Sequence, residues 1–330
     1  MDNIIDHIQI ENYKSIRSLK MDDCKRINLL IGRPNVGKSN LLEAMSLFSV
    51  PYLYYVGQKS LRTLVRGRNT AELFFDGNMA NPISVEFGED FGIIIDRIGQ
   101  EGISMEISLG KDEPFEVYEF SNDLKMGNVR GQQGGTIKVL MYKYDSTTPR
   151  ASYGKSFLLP PSGVNLMETV KQLPLLKEEI GRLLASYDLK MVYDNASQEL
   201  KAMKIRSDEI FLLPFTSLAD SLQRMIFHKA AIQSNHNRVI CLEEPEAHTF
   251  PPYIASVVQD VIDAKENQFF ISTHSPYVTN ALMESAFGDL AIFMFDMVDG
   301  ETNVKRITSG DLQEIYDNGV DVFFNMETYL

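Results

Sequence analysis

Cysteine, long apolar runs and positive charge are all scarce in this 330-residue chain. Its two cysteines, Cys24 and Cys241, stand in neither a CxxC nor a Cys/His pattern, which argues against zinc and favours a reduced compartment. No apolar run approaches the roughly 18 residues that a membrane helix needs, and the first residues lack the pattern of a signal peptide. We therefore expect a folded, cytoplasmic protein with no membrane partner.

Basic residues are outnumbered by acidic ones, 32 against 45, which gives a formal net charge of −13. This balance argues against a protein whose whole surface neutralises nucleic-acid phosphates. The charge is uneven, however, because residues 1–70 carry 11 Lys/Arg against 6 Asp/Glu, whereas residues 281–330 carry 2 against 10. The N-terminal part is therefore the part that could face an anion.

The N-terminal pattern predicts a strand, a glycine loop and a helix. Residues 4–13 alternate between apolar and polar, as a half-buried strand does, and residues 27–31 form a short apolar run typical of a strand buried on both faces. The run stops at Gly32. After a loop with Pro34 and Gly37, residues 38–45 have helical spacing and good helix formers.

The remainder of the chain changes pattern twice. Residues 72–160 show short alternating runs separated by turns, including runs at 83–87, 92–95 and 137–142, and predict an antiparallel β region. Residues 165–205 are interpreted as a helical insertion that Pro174 interrupts. Residues 206–330 return to the βαβ order of a parallel sheet, with strands at 238–242 and 268–272 around a helix near 253–264. The expected fold class is thus α/β.

The glycine loop fits the phosphate-binding pattern G-x-x-x-x-G-K-[ST] in the strand and helix context that the pattern requires. Its backbone N–H groups would form an anion-binding nest at the helix N-terminus. Lys38 would reach the β- and γ-phosphates, and the Ser39 hydroxyl would bind Mg²⁺. The predicted nucleotide-binding residues here are Gly32, Arg33, Pro34, Asn35, Val36, Gly37, Lys38, Ser39 and Asn40.

Two later strand ends carry candidate catalytic residues. Glu243 and Glu244 follow an apolar strand, at the strand end where ligands of open α/β sheets bind. We expect Glu243 to hold Mg²⁺ and Glu244 to deprotonate the attacking water. His274, at the end of the next strand, could bond to the γ-phosphate. No Asn-Lys-x-Asp segment for guanine recognition is present, so ATP is the expected nucleotide.

These segments resemble the ABC-type ATPases of the SMC, RecF and OLD group, and most closely the OLD-like bacterial AAA ATPases. The resemblance rests on residues 8–16, the Walker A loop 32–39, the Walker B stretch 242–248 and residues 272–276, which span the chain in family order. It implies one ABC-type ATPase head over residues 1–330, a P-loop NTPase fold, and ATP held between two heads of a homodimer or higher oligomer.

The resemblance also implies residues that act across the dimer. The signature segment would be residues 216–225, in which Ser217 or Ser221 binds the partner's γ-phosphate. This segment has Ala219 or Asp220 where the family usually has glycine, and Asp220 would bring negative charge near the phosphate unless it turns aside. The alternative is an N-cap serine with no role in the partner's site. Gln58 falls in a plausible Q-loop region, and His248 and Thr249 fall where the family has its D-loop.

Two features narrow the subfamily and leave two functions open. No heptads occur in the roughly 170 residues between Walker A and the signature segment, and the 56 residues after His274 lack the acidic motifs of a Toprim nuclease. One hypothesis is an ATP-dependent dimer that regulates or drives a separately encoded effector, as in OLD-like antiphage systems. The alternative is a DNA-associated ATPase of the RecF/SMC type, with a basic patch at Lys59, Arg62, Arg66 and Arg68.

Overall fold

The computed structural model describes residues 5–89, 91–109, 116–131 and 138–329. These residues form two compact units. The first unit comprises Met1–Met141, Arg238–Glu244 and Gln268–Leu330, and the second unit comprises Tyr142–Asn237 and Pro245–Asn267. Each unit is described by itself below.

The described residues form the following strands and helices. The strands are β1 (Ile8–Tyr13), β2 (Ile16–Met21), β3 (Ile27–Gly32), β4 (Ile83–Phe87), β5 (Phe91–Ile98), β6 (Gly102–Leu109), β7 (Glu116–Phe120), β8 (Met126–Gly131), β9 (Val139–Tyr142), β10 (Lys190–Asp194), β11 (Glu199–Arg206), β12 (Glu209–Pro214), β13 (Val239–Glu243), β14 (Gln268–Ser272), β15 (Leu290–Val298) and β16 (Glu301–Arg306). The helices are α1 (Lys38–Ser46), α2 (Val50–Tyr55), α3 (Leu166–Gln172), α4 (Pro174–Ala185), α5 (Asp220–Gln233), α6 (Pro251–Asp263), α7 (Pro276–Ala286), α8 (Ser309–Asn318) and α9 (Met326–Tyr329).

A mixed sheet of six strands supports the glycine loop, in the order β16-β15-β3-β14-β13-β9. Strands β15, β3, β14 and β13 are parallel neighbours, and β16 runs antiparallel to β15. All six residues of β3 are buried, which confirms the prediction of a strand covered on both faces. Because parallel strands end at the same edge of a sheet, the loops after β3, β13 and β14 open at one place.

A second sheet of the first unit has seven antiparallel strands, in the order β2-β1-β4-β5-β6-β7-β8. Alternation places Ile8 and Ile10 of β1 in the core, as the sequence predicted. The Phe48 ring, just after α1, packs on the Phe87 ring of β4 with centroids 4.9 Å apart. Strands β4 to β8 confirm the antiparallel β region over the described part of residues 83–131.

The predicted run at 137–142 is a strand but belongs elsewhere. Residue 137 lies outside the described residues, and β9 joins the six-stranded sheet next to β13 instead of the antiparallel sheet. All four residues of β9 are buried. Such a continuous apolar run is typical of a strand covered on both faces, whereas alternation is typical of a one-sided antiparallel sheet.

The second unit corrects the predicted helical insertion at 165–205. Helices α3 and α4 confirm it as far as Ala185, and Pro174 begins α4 as expected. After Ala185 the helical prediction is wrong, because residues 190–205 belong to the antiparallel sheet β10-β11-β12, which extends to residue 214. The cause is local. The Asp194 carboxylate accepts hydrogen bonds from the backbone N–H groups of Ala196 and Ser197 and closes a hairpin turn, while Leu200 and Ala202 alternate into the core.

The N-terminal basic residues and the C-terminal acidic residues meet within the first unit. Three arginines from the N-terminal part pair with three carboxylates from the C-terminal part: Arg17 with Glu301 at 3.0 Å, Arg26 with Asp289 at 2.9 Å and Arg33 with Glu327 at 2.7 Å. The uneven charge of the sequence is therefore partly paired inside the fold. Within the described residues, no helix is both long and apolar enough to cross a membrane.

A buried carboxylate joins the first β-hairpin to α1. The side chain of Glu43 on α1 is 3% exposed and forms an ion pair with Lys14, in the turn between β1 and β2, whose side chain is 11% exposed. Lys14 Nζ also donates to the backbone oxygen of Arg66 at 2.6 Å. A carboxylate this deeply buried is tolerated because cations compensate its charge.

We expect Lys14→Ala to lower the free energy of unfolding by about 3 kcal/mol, because it leaves the Glu43 carboxylate undercompensated. Lys20→Ala is the matched control, since Lys20 pairs with Asp22 on the surface, and should cost less than about 1 kcal/mol. Urea denaturation of both variants gives the comparison. An equal loss of unfolding free energy in the two variants would show that the buried ion pair stabilises the fold no more than a surface pair does.

Candidate active site

The loop between β3 and α1 has a backbone that only certain residues can adopt. Gly32 and Gly37 have φ angles of 153° and 101°, and Asn35 has a φ of 62°. A Cβ on Gly37 would lie 2.1 Å from Thr302 Oγ1 of β16, and one on Gly32 would lie 2.5 Å from the backbone oxygen of Phe295. Close approach of β15 and β16 therefore requires both glycines of the motif.

Lys38 folds back over the loop that precedes it. Its Nζ donates to the backbone oxygens of Gly32 and Arg33, both at 2.8 Å, and the residue is 5% exposed. Burial lowers the pKa of Lys38 to about 8, and the Glu244 carboxylate offsets part of this effect. An ammonium group held in this way is positioned for phosphate at the N-terminus of α1.

A chain of short polar contacts holds the loop in place. Asn40 Nδ2 donates to Ser15 Oγ at 2.7 Å, and Ser15 Oγ lies 2.6 Å from Thr302 Oγ1. The backbone N–H of Thr302 donates to the backbone oxygen of Ser15 at 2.8 Å. Asn40, predicted to bind nucleotide, thus connects α1 to the β1–β2 turn and β16.

A cavity of about 390 Å³ opens over this loop, within the size range of small-molecule sites. It is lined by Ser15, residues 34–40, Arg66, Glu244 and His274. The structure thus brings the predicted loop together with both predicted strand-end catalytic residues. All of these residues belong to the first unit.

Glu244 and His274 lie beside each other at the ends of β13 and β14. Glu244 has a φ of 43°, and its backbone N–H donates to the backbone oxygen of Ser272 at 3.0 Å. His274 Nε2 is 3.4 Å from Glu244 Oε1. About two fifths of each side chain is exposed, so both can reach a ligand and water in the cavity.

Arg66 lines the cavity, although the sequence alone indicated only a place in a basic patch. Its Nε donates to Glu43 Oε1 at 2.6 Å and its Nη2 to Glu243 Oε1 at 2.8 Å. Two carboxylates therefore hold its guanidinium in the candidate site, and its membership of a DNA-binding basic patch stays a prediction. One sequence signal pointed here: Glu43 stands in an apolar stretch of α1 and needs a cation.

The predicted metal ligands suit Mg²⁺ chemically. Ser39 offers a partly exposed hydroxyl in the first turn of α1, and Glu243 offers a carboxylate that is 19% exposed. Within the described ranges, no group of three or more His, Cys, Asp or Glu side chains could hold a metal ion. Both are oxygen ligands of the kind that Mg²⁺ prefers, but of the two only Ser39 lines the cavity.

The signature candidates belong to the second unit. Ser217 is exposed at the end of a short 3₁₀ helix, and Ser221 lies in the first turn of α5. The N-cap of α5 is Ala219, so neither serine is an N-cap. The Asp220 carboxylate accepts a hydrogen bond from Arg224 Nε at 2.7 Å, which partly neutralises its charge.

The Q-loop assignment stays a prediction. Gln58 does not line the cavity. Its backbone N–H donates to the backbone oxygen of Leu53 at 2.9 Å. Its side-chain Oε1 is buried without a hydrogen-bond partner among the described residues.

Comparison with known proteins agrees with this geometry. Residues 4–125, which include the loop, Glu43 and Arg66, match the family described as AAA ATPase domain. An ATP/GTP phosphatase of Helicobacter pylori is 22% identical over 330 aligned positions, which cover 82% of this chain and 85% of that protein. An uncharacterized protein of Methanocaldococcus jannaschii is 33% identical over 96 residues, which cover 27% of this chain and 44% of that protein.

Two solved structures have a similar fold. One is an SMC head bound to the C-terminal winged-helix domain of ScpA, with a TM-score of 0.50 at 13% identity, covering 92% of this chain and 98% of that one. The other is an SMC head with an extended coiled coil bound to the C-terminal domain of ScpA, derived from Pyrococcus furiosus. Its TM-score is 0.52 at 12% identity, and the match covers 95% of this chain and 98% of that one.

At these identities the likeness to the solved structures shows the fold alone. The fold is that of a P-loop NTPase of the ABC-type head class, as the sequence predicted. The domain match and the site geometry support ATPase activity. The narrower resemblance to OLD-like ATPases stays a prediction.

The lowered pKa of Lys38 predicts how nucleotide affinity depends on pH. Below pH 8 the free protein already holds the ammonium form, but above pH 8 it must take up a proton to bind a triphosphate as an ammonium. The Kd for ATP should therefore be flat below about pH 7.5 and rise up to about tenfold per pH unit above pH 8. Titrations with a fluorescent ATP analogue from about pH 6.5 to pH 9 measure this pH dependence of the Kd.

Lys38→Arg is the control, because its guanidinium keeps its charge over this range. Its Kd should be independent of pH, whatever its absolute value. A wild-type Kd that stays constant up to about pH 9 would mean that Lys38 does not titrate on binding.

Proposed function

We propose that this protein is a Mg²⁺-dependent ATPase that dimerises on ATP and acts on a separately encoded protein partner. One observation carries the hydrolytic part of this proposal. The Glu244 carboxylate, at the end of β13, lines the same cavity as the phosphate loop and lies 3.4 Å from His274. A carboxylate beside a triphosphate site is the arrangement that hydrolysis requires.

The phosphate loop would bind the triphosphate. Backbone N–H groups of residues 35–39 and the ammonium of Lys38 would bind the β- and γ-phosphates. When bound, Mg²⁺ would neutralise charge on the same phosphate oxygens. Ser39 and Glu243 are the residues that would hold it, and Glu243 accepts a hydrogen bond from Arg66 in this structure.

Glu244 would act as the general base. It takes a proton from the water that attacks the γ-phosphorus, the bond from that phosphorus to the β–γ bridging oxygen breaks, and ADP leaves with the electron pair. His274 would orient the Glu244 carboxylate and donate to the γ-phosphate. The hydrogen bond from the backbone N–H of Glu244 to the backbone oxygen of Ser272 fixes the end of β13, where the base lies.

We infer dimerisation from the start of α5. Ser221 lies in its first turn and Ser217 just before it, where a helix N-terminus favours an anion from another head. The pairing of Asp220 with Arg224 reduces the negative charge near the partner's phosphate. His248 and Thr249 would contribute to the same interface as the D-loop.

A protein partner fits this proposal better than DNA. Both SMC heads with similar folds were solved with a bound domain of ScpA, a separate polypeptide. The case for DNA rests on the basic patch, in which Arg66 is engaged by two carboxylates and Arg62 Nη2 donates to the backbone oxygen of Arg68. The finer role, control of an effector in antiphage defence, is supported by the resemblance to OLD-like ATPases.

Replacing the base should separate binding from hydrolysis. We expect Glu244→Gln to lower kcat for ATP by about 100-fold or more while ATP still binds, because only proton abstraction is lost. Light scattering with ATP should then show a trapped dimer. A matched variant, Glu244→Gln with Ser221→Arg, should bind ATP and remain monomeric. Hydrolysis at the wild-type rate by Glu244→Gln would contradict the assigned base, and an unchanged mass would contradict dimerisation.

A further inference from the structure

The backbone around Arg66 is fixed, whereas its guanidinium is accessible. The backbone oxygen of Arg66 accepts a hydrogen bond from Lys14 Nζ at 2.6 Å, and the preceding residues 64–65 are almost fully buried. The backbone N–H of Arg68 donates to a Glu72 carboxylate oxygen at 2.8 Å and closes the turn that follows. The Arg66 side chain is nevertheless 59% exposed. It can therefore change its contacts without movement of the backbone that carries it.

The two carboxylates that bind this guanidinium differ in burial. Arg66 Nε donates to Glu43, whose side chain is 3% exposed, and Nη2 donates to Glu243, whose side chain is 19% exposed. A more deeply buried carboxylate loses more when it loses a cation, so the bond to Glu43 is the harder one to break. The bond to Glu243 is the one that a competing cation could replace, while Nε stays on Glu43.

Glu243 does not line the nucleotide cavity, although it is a predicted metal ligand. Ser39, the other predicted ligand, does line the cavity, and so does Arg66. Since Arg66 both lines the cavity and contacts Glu243, the carboxylate lies behind the guanidinium as seen from the cavity. A cation in the cavity thus meets Arg66 before it meets Glu243.

The charges of this group of side chains are already balanced. Lys14 and Arg66 bring two positive charges into contact with the two negative charges of Glu43 and Glu243. A divalent cation added to these four side chains finds no net negative charge, and the guanidinium repels it. Glu243 Oε1 can bind a metal only after Arg66 Nη2 releases it.

We propose that Arg66 competes with divalent metal ions for Glu243, so that the nucleotide-free protein excludes free metal from this carboxylate. The proposal rests on the proposed function, because it takes Ser39 and Glu243 as the residues that hold Mg²⁺. Metal then enters together with the triphosphate, whose oxygens supply the negative charge that the balanced group lacks. Arg66 keeps its bond to Glu43 throughout and acts as a positioning residue.

The test measures Mn²⁺ binding to the nucleotide-free full chain by electron paramagnetic resonance, in which free Mn²⁺ gives the signal. We expect Arg66→Gln to bind Mn²⁺ at least about fivefold more tightly than the wild type, because the competing charge is gone. Arg68→Gln is the matched control. It removes an exposed arginine two positions away that does not line the cavity, and it should bind Mn²⁺ as the wild type does.

Two further variants locate the effect and guard against misfolding. The double variant Arg66→Gln with Glu243→Gln should lose the gain in Mn²⁺ affinity, because the carboxylate that binds the added metal is absent. Arg66→Gln also removes one of the two cations beside Glu43, so circular dichroism checks its fold. In Arg66→Lys, a single ammonium can pair with Glu43 but cannot bridge to Glu243 as a guanidinium does. Its Mn²⁺ affinity should therefore also exceed that of the wild type.

An increase in affinity is a result that loss of structure would not produce. Mn²⁺ affinity that is no higher than wild type in the folded Arg66 variants, or no binding by them at about 5 mM Mn²⁺, would overturn the proposal. A gain that persists in the double variant would overturn it too, since the metal would then bind elsewhere. Because the measurement contains no nucleotide, a wild-type protein without ATPase activity would contradict the proposed function and still leave the competition between Arg66 and metal tested.

Discussion

The shared compensation of the Glu43 carboxylate is the interaction on which the candidate active site depends. Glu43 is almost fully buried on the helix that carries the phosphate loop, so its charge requires cations in contact with it. Lys14 supplies one from the first hairpin and Arg66 supplies the other. Arg66 then extends to Glu243, so a requirement of the core fixes the position of the predicted metal ligand at the end of β13.

The phosphate loop is constrained from its other side by residues far away in the chain. Phe295 on β15 and Thr302 on β16 approach the loop so closely that neither of its glycines could carry a side chain. Thr302 also contacts Ser15, which holds Asn40 of α1. The loop is thus held between the β1–β2 turn and the β15–β16 hairpin, and such preorganised donors bind phosphate without first paying to be ordered.

Local pattern predicted most of the first unit, because its elements follow their own periodicity. Strand β3, helix α1 and strand β14 form where the apolar spacing placed them, and the motif residues converge because parallel strands end at one edge. The pattern could not predict how distant charges pair. Arg66 appeared to be part of a basic surface, since nothing in its neighbourhood indicates Glu43 or Glu243. Residues 190–205 form strands instead of the predicted helix, because the strands are short and their hairpin depends on the turn after Asp194.

The proposed hydrolysis of ATP depends on the loop, Glu244 and His274 acting as one site. Its most direct test is release of inorganic phosphate from ATP by the purified wild-type chain, with Mg²⁺ or with a chelator, beside Lys38→Ala. We expect continuous phosphate release that requires Mg²⁺ and is lost in Lys38→Ala. No hydrolysis by the wild type at saturating Mg²⁺ and ATP, or the same rate in Lys38→Ala, would contradict it.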